Sequence, residues 1–217
     1  MSDDFQEIEH EVRRDRLVAL ARRYWKYGAA VALIAIGAAV AVVVLGQSRE
    51  AARLKDAAAF RAALAQVEIG QDDKAAEAFH ALAESSDSGY AVLSRLREAQ
   101  LLAKAGQRVE AARVYDALAA DSSTDAAYRD LARVLAAELL VDSAPAAEIE
   151  TRLKDLAEAG PWRALARELM ALAYYRAGDR AAARQLIEEL ADDPRVSASA
   201  RARIREMLEI LGGSAPS

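Results

Sequence analysis

Two hydrophobic patterns divide this chain. From Tyr27 to Ser48 the run YGAAVALIAIGAAVAVVVLGQS carries no charged residue, whereas from residue 50 onward apolar positions recur at helical spacing among Ala, Leu, Glu and Arg. As a helix the uncharged run rises about 33 Å, enough for a hydrocarbon core of about 30 Å. Arg13, Arg14, Arg16, Arg22, Arg23 and Lys26 crowd its N-terminal side, and Arg49, Arg53 and Lys55 follow more sparsely. The positive-inside rule then places residues 1–26 in the cytoplasm and 49–217 across the membrane, with Tyr24, Trp25 and Tyr27 as interfacial anchors. A cleaved secretory signal fits less well: the leader is long and carries six acids, and Leu45-Gly46-Gln47-Ser48 is a poor cleavage site. The pattern therefore predicts one uncleaved signal-anchor helix over 27–48. Ala35 and Ala39 stand at helix-pairing spacing, although alanine is abundant throughout the chain.

Beyond the anchor no stretch alternates like a strand. Breaks fall at IGQDD (69–73), ESSDSG (84–89), AGQR (105–108), ADSSTD (120–125), DSAP (142–145), AGP (159–161), AGDR (177–180) and DDP (192–194). They predict helical hairpins joined by short turns. Aligned on Gly70, Gly106 and Gly178, the breaks expose a repeat. Seven residues before each glycine stands Ala63, Ala99 or Ala171. Five after comes Ala75, Ala111 or Ala183; nine after, Phe79, Tyr115 or Ile187; twelve after, Leu82, Leu118 or Leu190. A degenerate copy places Ala137, Ile149, Leu153 and Leu156 on the same spacing, with Ala144-Pro145 at the glycine position.

These offsets have physical reasons. A small residue lets the first helix of a hairpin (helix A) approach the second (helix B). Glycine ends helix A in a left-handed conformation that costs it nothing, and the Ala-aromatic-Leu stripe is one buried face of helix B. The pattern resembles the tetratricopeptide repeat, a helix-turn-helix of about 34 residues whose neighbours must stack to bury that face. The predicted fold is all-α: an N-terminal transmembrane helix, then a tetratricopeptide-like α-solenoid of about four hairpins over 49–211. Ser197 starts a C-terminal capping helix with Ile204, Leu208 and Leu211 as its stripe. Residues 212–217, GGSAPS, read as a disordered tail.

Charge and chemistry narrow the function. The formal charge is −5 with both signs interspersed, which argues against a nucleic-acid partner. Without cysteine there is no disulfide or thiol chemistry, and without asparagine no N-glycosylation sequon. The two histidines, His10 and His80, fall on opposite sides of the predicted membrane helix. Asp72-Asp73 and Asp192-Asp193 lie at turns, where carboxylates cap helices. Ser85-Ser86 and Ser122-Ser123 sit in polar loops with no evident base, and no phosphate-binding or metalloprotease motif occurs. The expectation is a non-enzyme with no cofactor and no metal.

Projecting the repeat onto helix A gives candidate groove residues: Phe60, Leu64 and Val67; Leu93, Leu96 and Gln100; Leu131, Val134 and Glu138; Leu165, Glu168, Leu172 and Tyr175. Most are apolar. They line either a groove for apolar segments of an extended chain or contacts filled by the capping helix and neighbouring hairpins. In the tail, Phe5, Ile8 and Val12 make a short apolar face beside acids.

The order of parts looks like the YfgM-type family of membrane-anchored ancillary subunits of the bacterial Sec translocon. The likeness rests on DDFQEIEHEVRRDR, one anchor, AAAFRAALAQVEIGQDDKAAEAF, YAVLSRLREAQLLAKAGQ (90–107) and LLVDSAPAAEIE (139–150). The resemblance implies a single-pass inner-membrane protein with a cytoplasmic N-terminus and a periplasmic repeat domain. It further implies association with the SecYEG channel, with a periplasmic prolyl-isomerase-type chaperone and with exported polypeptides. The alternative is an envelope scaffold or cell-division coordinator that self-associates or joins other proteins; homo-oligomerisation is left open.

Overall fold

A computed structural model describes residues 3–212. Side chains are described from residue 25 onward, apart from 27–29, 31, 32, 35 and 199. His10 and the tail face of Phe5, Ile8 and Val12 therefore lie outside the described side chains, as do Tyr24, Tyr27 and Ala35. Residues 213–217 lie outside the described residues altogether. Internal packing divides the chain into two units, Met1–Leu54 and Lys55–Ser217.

Within the first unit runs most of helix α1 (Asp3–Glu68), and no helix break marks residue 26 or 48. Among the described residues no helix is long and apolar enough to cross a membrane. The run Tyr27–Ser48 falls partly on residues outside that description. Its described apolar side chains, including Leu33, Ile34, Ile36, Val40 and Val42 to Leu45, are all exposed.

The second unit consists, among its described residues, of helices joined by short turns. The end of α1 is followed by α2 (Asp72–Ser85), α3 (Gly89–Lys104), α4 (Arg108–Ala120) and α5 (Ala126–Leu140). Then come α6 (Ala146–Glu158), α7 (Arg163–Arg176), α8 (Arg180–Ala191) and α9 (Ala198–Ile210). Consecutive helices from α2 to α9 pack on one another, and α3, α5 and α7 also adjoin in series. The end of α1 with α2, α3 with α4, α5 with α6, and α7 with α8 form four A–B hairpins. The last helix, α9, closes on α8.

All sixteen repeat positions identified by spacing, four in each copy, are buried, most of them completely. Ala63, Ala75 and Phe79 form a core with Leu101 of the next hairpin. A larger core joins Ala99, Ala111, Tyr115 and Leu118 to Ile149, Leu153 and Leu156. A third joins Ala171, Ala183, Ile187 and Leu190 to Val196, Ile204 and Leu208 around α9. The first two cores draw on more than one hairpin and the third on α7–α8 together with α9, so no hairpin closes its apolar face alone.

Helix A ends by the same device in three copies. At Gly106, φ is +84°, and the Gly106 and Gln107 amides donate to the Ala103 and Leu102 carbonyls at 3.0 and 2.9 Å. This 5→2 and 6→1 pair is the Schellman arrangement, and the turns at Gly70 and Gly178 have it too. At the A–B turn of the degenerate copy no residue turns left-handed. The Ala144 amide donates to the Leu140 carbonyl at 2.8 Å, and Pro145 (φ −58°, ψ 145°) stands at the N-cap of α6. Proline supplies there, by its fixed φ, the stop that glycine supplies elsewhere. Ser197 accepts from the Ala200 amide at 3.3 Å and so caps α9 as its sequence position predicts.

Candidate interaction groove

The face of helix A that meets its own helix B is fixed by two positions. One is the small alanine seven residues before the turn residue. The other, not singled out by the sequence pattern, is an arginine eleven before it: Arg95, Arg133 and Arg167 in the last three copies. Each reaches along its own hairpin, and Arg167 also donates to the Ala157 carbonyl of α6 at 2.8 Å. Arg95 pairs with Asp121 at 3.0 Å, Arg133 donates to the Arg152 carbonyl at 2.8 Å, and Arg167 pairs with Glu189 at 2.6 Å. The pull of Ser123 and Arg95 on Asp121 holds its carboxyl down at about 2, Ser123 contributing most.

At 100° per residue, positions sixteen, thirteen, nine and six before the turn residue fall within an arc of about 80° on the side of helix A opposite those contacts. This arc faces away from helix B and forms the inner surface of the A-helix layer. Of the predicted groove residues, Leu93, Leu131 and Leu165 (position thirteen) and Leu64, Gln100, Glu138 and Leu172 (position six) lie on it. Leu93, Gln100, Glu138 and Leu172 are exposed, and Leu64, Leu131 and Leu165 half-buried.

The remaining predicted residues sit at its edge, turned toward the next helix. Phe60 is half-buried, with its ring centroid 5.2 Å from Phe79 and 5.5 Å from Tyr90 of α3. Val67, Leu96 and Tyr175 are half-buried against cores. Val134 is buried in the central core. Glu168 is buried too, and both of its carboxylate oxygens accept from Arg203 of α9 at 3.2 Å. Thus α9 takes the place that helix A of a further hairpin would occupy and covers the end of the stack.

The same arc contains positions the projection missed. Nine before the turn residue stand Arg61, Arg97, Leu135 and Leu169, and sixteen before stand Tyr90, Tyr128 and Trp162 in the last three copies. The signal was present in the repeat itself: once the alignment is extended toward the start of helix A, an aromatic recurs at one offset.

Polar groups elsewhere join hairpins to one another. Asp56 accepts from the hydroxyls of Ser86 and Ser88 at 2.6 and 2.8 Å, which holds its carboxyl below the usual range. Ser86 thus has a carboxylate partner that its loop context hid. No imidazole joins the pair in the contacts described, so it reads as a tie between α1 and the α2–α3 turn. His80 lies 2.9 Å from Glu98, whose carboxyl burial pushes upward while the imidazole opposes the shift.

The acidic pairs at turns need correction. Asp72 opens α2 without a side-chain cap bond and pairs instead with Lys104. Asp193 is buried and binds Arg163 and Arg195, a structural ion cluster beneath the α8–α9 turn. A carboxylate next to proline at a turn read as a helix cap because its partner Arg163 stands thirty residues earlier. Among the described residues no three metal-ligating side chains come together.

Comparison with curated proteins and with solved structures gave no match. The family model of the tetratricopeptide repeat-like domain, however, matches residues 21–208, which spans the repeats, their spacing and the arc just described. By that match the chain belongs to the tetratricopeptide repeat-like domain family.

Proposed function

We propose that this protein is a non-catalytic, membrane-tethered interaction module. It works on the periplasmic side of the bacterial inner membrane beside the Sec translocon, where it links exported polypeptides to a periplasmic chaperone. A tetratricopeptide repeat-like domain implies protein partners in general, and such domains are typically non-catalytic scaffolds. The observation that carries the reading is the inner arc, opposite the B helices, where Leu93, Tyr128 and Leu172 remain exposed beside half-buried leucines. Exposed apolar side chains in series on one surface mark an interaction site. The tether is supported by the exposed apolar side chains of Leu33, Ile34, Ile36, Val40 and Val42 to Leu45, whose exposure in water would be unfavourable and which a bilayer covers. The basic residues before it and the likeness to the YfgM-type family support the orientation and the translocon assignment.

The test is photo-crosslinking in living cells from Leu93, Gln100 and Leu172, which the structure leaves exposed, with buried Val134 as a silent control. Adducts with Sec channel subunits, a periplasmic chaperone or exported chains are expected. Adducts only with copies of itself or with cell-wall and division proteins would replace this reading by the envelope-scaffold one.

A further inference from the structure

The groove is not uniform along the stack, and the difference lies at one repeat position. Nine residues before the turn, the first two copies carry Arg61 and Arg97, both exposed. The next two copies carry Leu135, half-buried, and Leu169, buried. Neither arginine is engaged by an acid of the chain. Arg61 donates only to the Ala57 carbonyl of its own helix at 3.3 Å, and Arg97 to the Gln100 side chain at 3.1 Å. This sets them apart from the arginines eleven before the turn, each bound within its hairpin. Two neighbouring hairpins thus present unneutralised guanidinium groups on the inner arc, in a chain whose formal charge is −5. Toward the other end the exposed groups of the arc are Tyr128 and Leu172, with Glu138 between them.

We infer that the groove takes an extended polypeptide segment with carboxylates at one end and aliphatic or aromatic side chains at the other. The acidic end lies across Arg61 and Arg97, and the apolar end lies against Tyr128 and Leu172. This rests on the interaction-module reading and supplies its ligand class. Charge complementarity selects the occupant. A basic segment meets two cations at one end, and a wholly apolar segment leaves both guanidinium groups unpaired but hydrated, so it binds more weakly without being excluded. Opposed ends also fix the direction in which the segment lies.

The experiment uses the full chain in nonionic detergent micelles with three fluorescein-labelled peptides, read by anisotropy against empty micelles. One is half glutamate and half leucine and phenylalanine; the second replaces glutamate by lysine; the third replaces it by serine. The glutamate peptide is expected to bind tightest. The variant Arg61→Gln/Arg97→Gln should lose about fivefold of that affinity and leave the serine peptide unchanged. Both arginines are exposed, so the variant folds as the parent does. Leu172→Gln should weaken the glutamate and serine peptides alike. If glutamate, serine and lysine peptides bind equally, or the arginine variant binds the glutamate peptide as the parent does, the charge assignment is overturned and the apolar groove survives. If no peptide binds, the groove reading falls with it.

Discussion

Gly106→Ala isolates one conformational quantity. The residue sits at φ +84°, and a Cβ placed there would meet nothing within 4 Å, so no steric contact with the rest of the fold enters the comparison. Two opposing terms remain. In the unfolded chain alanine has fewer states to lose than glycine, which by itself would stabilise by about 0.4–1 kcal/mol. In the folded chain alanine must hold a left-handed backbone, at about 1–2 kcal/mol. The difference predicts a net loss of about 1 kcal/mol, and Gly106→Asn should lose less because asparagine tolerates this region. A stack of hairpins need not unfold in one step, so the reading should be local. Amide exchange of the Gly106 and Gln107 amides, which close the turn, should accelerate about fivefold, with little change at Gly178. The Ala144→Gly variant in the degenerate copy makes the converse comparison, since no non-glycine residue there has positive φ. It should gain nothing from glycine's freedom. If Gly106→Ala protects the turn or leaves it unchanged, the left-handed turn is not what ends helix A, and the account of the repeat fails.

Phe79→Ala empties a fully buried site between α1 and α2 and should cost about 3–5 kcal/mol, with exchange faster first in the opening hairpin. Asp193→Asn leaves buried Arg163 without its carboxylate and should cost about 3–5 kcal/mol; adding Arg163→Met should restore part of it in denaturant titrations, as removing both charges relieves the unpaired cation. Asp121, held at about 2 against an ordinary 3.8, stabilises the fold above the higher value. That contribution should disappear as pH falls toward 2, and Asp121→Asn should flatten this part of a melting-temperature profile. Glu98 has the opposite sign. Its raised pKa favours the fold in acid and loses that contribution as pH rises from about 4.5, so Glu98→Gln should become progressively more favourable between pH 4 and 7.

The sequence carried the repeat because burial at every fourth or third position is a one-dimensional signal. Ala75 and Phe79 differ in size from Ile149 and Leu153 at the same offsets, yet the spacing alone assigned both sets to buried faces. The turns were equally legible, since Gly106 and Pro145 each act on their own backbone. The groove was less so. Val134 and Glu168 were projected inward, but the arc centres near position nine, and a shift of one residue turns a helix by 100°. The alanines seven before the turn mark one point of the face toward helix B, and the contacts of Arg95, Arg133 and Arg167 add the second point that fixes its direction. The pairing of Arg163 with Asp193 and of Asp56 with Ser86 was hidden for another reason. These groups lie about thirty residues apart, and nothing in either local context names the other.

Because Arg95, Arg133 and Arg167 each find a partner inside their own hairpin, each of the last three hairpins carries its electrostatic closure with it. Duplicating or deleting one complete hairpin would leave these three closures whole, whereas a cut within a hairpin would separate both halves of the closure. The pairs that cross between hairpins, such as Arg152 with Asp116 at 2.8 Å, are what such a change would have to replace. The natural increment by which this chain can lengthen or shorten is therefore the whole hairpin, each step keeping its internal closure and needing a new pair only at the junction.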